Sequence, residues 1–130
     1  IDGSWNSRVV VWPTADLIVP SWEARLPLIA AAARGPAGAL PETRSGLSVS
    51  RPGVLVTAFG ANPDGEGTLL RVWDQSGVSG EVVVTVPGKF VSAAPVNLRG
   101  EKTGEALQIT DGKLAFPLAK YAPASFILTP

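Results

Sequence analysis

The groups that do most enzymatic chemistry are missing from this chain before any fold is considered, because it contains no His and no Cys. Without them there is no Ser-His-Asp or Cys-His relay, no thiolate nucleophile and none of the commonest zinc ligand sets. Carboxylates, guanidinium groups, hydroxyls and aromatic rings remain. A carboxylate pair could act on a glycosidic bond, at a separation of about 5–5.5 Å for retention or about 6.5–9.5 Å for inversion. The sequence offers poor candidates for such a pair. Asp64, Glu66 and Asp111 stand beside Gly among turn formers, while Glu101 and Glu105 lie four residues apart in a polar connection, so each reads as a solvated loop residue. Asp64-Gly65-Glu66 lacks the longer ligand spacing of a calcium loop, and no metal or other cofactor is expected in these 130 residues. Gly65, Gly67, Gly77 and Gly80 connect strands, with no following helix whose N-terminus could hold a phosphate.

Aromatic rings give a second route to function, since the apolar face of a sugar can stack on an exposed Trp or Tyr. The candidates are Trp5, Trp12, Trp22, Trp73 and Tyr121. Trp12 and Trp73 each end an apolar run and suit packing in a core or at a sheet rim, whereas Trp22 lies in an irregular stretch that it could anchor. Arg71 shares a face with Leu69 and Trp73 in strict alternation. A cation there lies over Trp73, sits at a sheet edge, or pairs across an interface. Arg71, Trp73 and Asp74 are accordingly the candidate binding residues, and no catalytic residue is assigned.

Bulk properties narrow the partners. Eleven basic residues balance eleven acidic ones, with a pI near 6.4, so there is no cationic excess to release counterions from a phosphate backbone. Nucleic acid is not an expected partner. The longest uncharged run, Pro52 to Pro63, has twelve residues, short of the roughly 20 that a spanning helix needs, so no membrane span is expected. The opening Ile1-Asp2-Gly3-Ser4-Trp5 has no signal-peptide character, which fits a removed signal or an internal fragment. The lack of Cys leaves the compartment open.

The elements that must position these side chains are short strands. Gly and Pro make up 26 of the 130 residues and are spread along the chain, leaving little room for long helices. Val54–Phe59, Thr68–Trp73 and Glu81–Val86, separated by turn formers, read as a three-stranded antiparallel meander. The first of these is apolar on both faces, which suggests a central, well-covered position. In the third, Val82, Val84 and Val86 share the core face. Leu107–Thr110 and Lys113–Phe116 flank Asp111-Gly112, a type I′ hairpin signal, and Pro117, with no amide to donate, points toward an edge or a strand end. Ala124–Thr129 is a last strand. Phe90–Leu98 is extended with an interruption at Pro95, and Leu47 with Val49 marks a short strand. The first 44 residues form a less regular arm, with strands expected at Arg8–Trp12 and Leu17–Val19. At most a short helical turn fits within Trp22–Ala33, because Pro27 interrupts it. The whole reads as one antiparallel β-sandwich domain of about eight short strands, its core in residues 45–130.

The order of motifs then resembles the C-terminal β-domain of glycoside hydrolase family 38, the α-mannosidases, over about four-fifths of the chain. The matching stretches begin with Pro27-Leu28, Gly38-Ala39-Leu40-Pro41, Ser45-Gly46-Leu47-Ser48-Val49, Val54–Phe59 and Asp64-Gly65-Glu66-Gly67. They continue through Leu70-Arg71-Val72-Trp73-Asp74 with Ser76-Gly77, Pro95-Val96-Asn97-Leu98-Arg99-Gly100-Glu101, the hairpin, and Tyr121-Ala122-Pro123-Ala124-Ser125-Phe126-Ile127-Leu128. The resemblance implies an accessory sandwich packed against the upstream domains of the same polypeptide. It also implies that the nucleophilic Asp and a zinc ion held by His and Asp lie upstream, and it carries over no catalytic residue. Arg71 carries over only as a motif residue bracing the sheet or a domain interface. The parent chain would then be a glycoside hydrolase acting on mannosides. An autonomous carbohydrate-binding module and a ligand-free immunoglobulin-like spacer are the competing expectations.

Overall fold

Period-two burial, the signature of a strand with one face in a core, runs through the computed structural model. In Lys113–Leu118 the buried residues are Leu114, Phe116 and Leu118, and their neighbours Lys113, Ala115 and Pro117 are exposed. The structure describes residues 46–130 apart from Lys89. Of the earlier residues it describes only Gly3, Ser4, Val9, Val11, Pro13, Pro20, Ser21, Arg25, Leu26, 29–32, Gly35, Gly38, Ala39 and Thr43. The chain divides into two compact units, Ile1–Leu40 and Pro41–Pro130. In the first, Arg25 is helical, as are Pro20 and Ser21; Val9, Val11 and Ile29 are exposed. The remainder of the expected strands Arg8–Trp12 and Leu17–Val19 lies outside the described residues, as do Trp5, Trp12, Trp22 and Pro27.

The second unit is all-β. Its strands are β1 (Ser48–Val49), β2 (Val54–Ala61), β3 (Thr68–Asp74), β4 (Gly80–Thr85), β5 (Ser92–Val96), β6 (Leu107–Gln108), β7 (Lys113–Leu118) and β8 (Pro123–Thr129). They form two antiparallel sheets, β1-β4-β7 and β2-β3-β8-β5-β6. One core joins the sheets: Leu70, Val72, Phe126 and Leu128 from the larger meet Val82, Val84, Leu114 and Phe116 from the smaller. The Phe116 and Phe126 rings bridge them with centroids 4.7 Å apart. Each such side chain contributes roughly 1.5–3 kcal/mol by leaving water, so the alternation selects this pairing of sheets. The expected sandwich of about eight strands is what forms.

Four details of the strands differ from expectation. The meander breaks after its first two strands: β2 pairs with β3, but β4 crosses to the other sheet and pairs with β1 and β7. The Ser76 hydroxyl and the Gly77 N–H both donate to Asp74 at the end of β3, which turns the chain off the sheet before it can fold back. β8 takes the vacated side of β3, with Arg71 opposite Ser125 and Trp73 opposite Pro123.

The Asp111-Gly112 turn forms with both residues at positive φ, 51° and 70°, and Thr110 and Lys113 exchange both backbone hydrogen bonds. Its arms then separate, because Leu107 pairs with Ala93 in the larger sheet while Leu114 pairs with Val84 in the smaller one. Burial of Ile109 between the sheets explains the split, since its N–H already donates to the Val91 carbonyl. Pro95 lies within β5 rather than interrupting it, and its carbonyl accepts the Thr103 N–H.

The fourth difference is the position of β2. Instead of being central, this eight-residue strand lies at the edge of its sheet among the described residues. Pro117, by contrast, occupies the edge strand β7, as expected for a residue with no amide to donate.

Candidate functional site

Alternation along β3 separates the candidate binding residues into two groups. Leu70, Val72 and Asp74 are buried toward the core, whereas Arg71 and Trp73 are on the outer face of the sheet, with Trp73 46% exposed. Arg71 is not at an edge, since β3 lies between β2 and β8.

Asp74 is fully buried at the end of β3. Its Oδ1 accepts from the Ser76 hydroxyl at 2.6 Å and from Arg51 Nη2 at 3.2 Å; its Oδ2 accepts the N–H groups of Gly77 at 3.0 Å and Tyr121 at 2.9 Å. The carboxyl is held down to about 2, foremost by the Ser76 hydroxyl, with the two N–H groups and the Arg51 charge adding to it against the opposing effect of burial. Such a group is a fixed acceptor, shifted in the wrong direction for a general acid. Arg51 also donates to the Leu118 carbonyl of β7 at 3.4 Å, so one side chain links both sheets to this carboxylate. Its Nε is buried without a partner among the described residues.

Through this carboxylate the inner residue shapes the outer surface. Tyr121 has φ 58°, a conformation that costs a non-Gly residue of the order of 1–2 kcal/mol, and its N–H is secured by Asp74. Its carbonyl in turn accepts the indole N–H of Trp73 at 3.0 Å. The Tyr121 ring lies over Gly77, where a Cβ would come within 2.5 Å of the phenol oxygen. The two rings are therefore oriented by hydrogen bonds and close packing while remaining largely open to solvent.

These rings help to line an open depression of about 460 Å³, whose lining residues are Thr57, Arg71, Trp73, Leu98, Tyr121 and Pro123. Thr57 sits at the β-bulge between Val56 and Ala58, which re-aims its side chain; its hydroxyl donates to the Arg71 carbonyl at 3.3 Å. Arg71 Nε donates to Ser125 Oγ at 3.0 Å, fixing the guanidinium plane on the sheet. No carboxylate is among the lining residues. The chemistry on offer is stacking and donation of hydrogen bonds from a cation, which suits holding a ligand.

The other sequence candidates are elsewhere. Asp64, Glu66, Glu101, Glu105 and Asp111 are exposed, and Asn62 and Asn97 organise the turns that carry Asp64 and Glu101. No group of metal-binding side chains occurs among the described residues. Thr57, Leu98 and Pro123 as lining residues and Arg51 as the clasp on Asp74 are not among the sequence candidates. No local pattern could have found Arg51, whose partners are 23 and 67 residues away, whereas the motifs Ser76-Gly77 and Tyr121-Ala122-Pro123 do contain the groups that close the surface. No known family model, curated protein or solved structure matches this chain.

Proposed function

We propose that this chain is a non-catalytic accessory β-sandwich at the C-terminal end of an α-mannosidase-like glycoside hydrolase, where it braces the catalytic part and frames one side of its cleft. The observation that carries the bracing role is β2. It has no charged residue and no Pro along its eight residues, it carries Val54, Leu55, Val56, Ala58 and Phe59, and it lies at a sheet edge among the described residues. Exposed edges are normally kept short or blunted by charge and proline. β1 and β6 have two residues each, and β7 carries Lys113 and Pro117. Among the described edge strands only β2 is long and free of both charge and Pro, the bulge between Val56 and Ala58 being its one blunting feature, which favours further polypeptide lying beside it. The resemblance of the motifs supplies the identity of the parent.

The non-catalytic part draws support from Asp74, a buried carboxylate already committed to two N–H groups, a hydroxyl and an arginine. The test is to assay the 130-residue chain on aryl α-mannosides with zinc or calcium supplied. No turnover is expected, and clear turnover would overturn the non-catalytic reading. The gene upstream of Ile1 should encode an α/β module with a His/Asp zinc set, and a gene without one would remove the mannosidase-like parent.

Exposed Trp73 and Tyr121, at 46% and 64%, favour a second reading as a carbohydrate-binding module. Saturable quenching of Trp fluorescence by a glycan supports it.

A further inference from the structure

We propose that the depression on the outer face of the larger sheet binds a glycan residue carrying a carboxylate, a uronic acid, with the guanidinium of Arg71 taking the acid group and the rings of Trp73 and Tyr121 taking the apolar sugar face. This rests on the binding reading of the same surface and adds to it a charge and a ligand class.

Three observations combine. Arg71 is half-buried on a sheet face whose cross-strand neighbours are Ala58 and Ser125 and whose neighbours along β3 are Leu69 and Trp73, none of them acidic. The ion pair found among the described residues joins Arg51 to Asp74, so the Arg71 charge is uncompensated there. A half-buried guanidinium with no acidic neighbour is free to take an anion. Secondly, Ser125 engages Nε alone, leaving the two terminal nitrogens as the paired donors whose plane matches a carboxylate. Thirdly, the aromatic walls are built in advance of any ligand. Trp73 is tied to the Tyr121 carbonyl, and Tyr121 is held by Asp74 on its amide side and accommodated by Gly77 beneath its ring. Little ordering is then required on binding. A depression of about 460 Å³ that is open to solvent accommodates a saccharide unit. Phosphate would use the cation and leave the rings idle; a neutral hexose would use the rings and leave the cation unneutralised.

The experiment compares methyl β-D-glucuronide with methyl β-D-glucoside, which differ at one carboxylate, on the full 130-residue chain. Binding is read from the indole N–H resonances, with that of Trp73 assigned by Trp73→Phe. The glucuronide is expected to bind at least about tenfold more tightly than the glucoside, as for one charge-assisted fork, and added salt should narrow the gap. Arg71→Gln should abolish the preference while leaving the core methyl spectrum and melting temperature in place; Arg71→Lys should keep part of it. Equal binding of both sugars, or a preference that survives Arg71→Gln, overturns the uronic acid assignment and leaves the binding module standing. Binding of neither sugar at millimolar concentration by the folded chain overturns both.

Discussion

The backbone N–H of Tyr121 donates to Oδ2 of Asp74 at 2.9 Å, a bond that joins positions 47 residues apart and couples the interior of the sandwich to its outer surface. Asp74 faces inward on β3 and Tyr121 precedes β8. The bond secures a tyrosine in a left-handed conformation, and the carbonyl of that residue orients Trp73. Buried carboxylate, strained turn and exposed ring pair thus form one unit.

Acid should dismantle this unit in a defined window. Asp74 has its carboxyl lowered from an ordinary 3.8 to about 2, so the folded state favours the ionised form. That stabilisation is fully present above the unfolded value and is lost as pH falls from near 3.8 through about 2. Urea midpoints measured between neutral pH and pH 2 should fall more steeply for the native chain than for Asp74→Asn, and parallel curves would show that Asp74 contributes nothing to the acid transition.

Gly77 should tolerate no side chain. Its φ is +72° and an added Cβ would meet the Tyr121 hydroxyl at 2.5 Å. Gly77→Ala is expected to cost about 1–2 kcal/mol from the backbone conformation alone, with an additional cost for displacing the ring. In a Tyr121→Ala background the second part should vanish, so a double-mutant cycle by chemical denaturation should give a non-zero coupling.

Core alternation along β7 makes a sharp contrast between adjacent positions. Leu114 is fully buried and Ala115 is exposed. Leu114→Ala should cost about 2–5 kcal/mol, whereas Ala115→Ser should change stability by no more than about 0.5 kcal/mol. Similar values at the two positions would contradict the burial pattern.

The β2 edge, unpaired among the described residues, should reveal itself in the 130-residue chain. β2 presents no charge to solvent, and such edges template pairing with other chains. Ala61→Lys, at the exposed end of β2 opposite Thr68, should reduce concentration-dependent association in sedimentation experiments, with stability altered by no more than about 0.5 kcal/mol.

The class of fold and most of the core were legible in the chain, because burial in a strand follows a period of two that can be read locally. Val82, Val84, Leu114, Phe116, Leu118, Phe126 and Leu128 are all buried as their alternation requires. Asp111-Gly112 likewise specified its own turn, since positive φ is a property of the residues themselves. Which sheet each strand joined was decided only in three dimensions. Val84 satisfies its alternation equally well beside β3 or across the core from it, and the partners it takes, Val49 and Leu114, come from distant parts of the chain. The binding surface divides the same way. Alternation puts Arg71 and Trp73 on one face, but Tyr121 reaches them through contacts that span more than forty residues and leave no local periodicity. Hydrogen bonds between residues far apart in the chain, which local periodicity does not reveal, assembled that site.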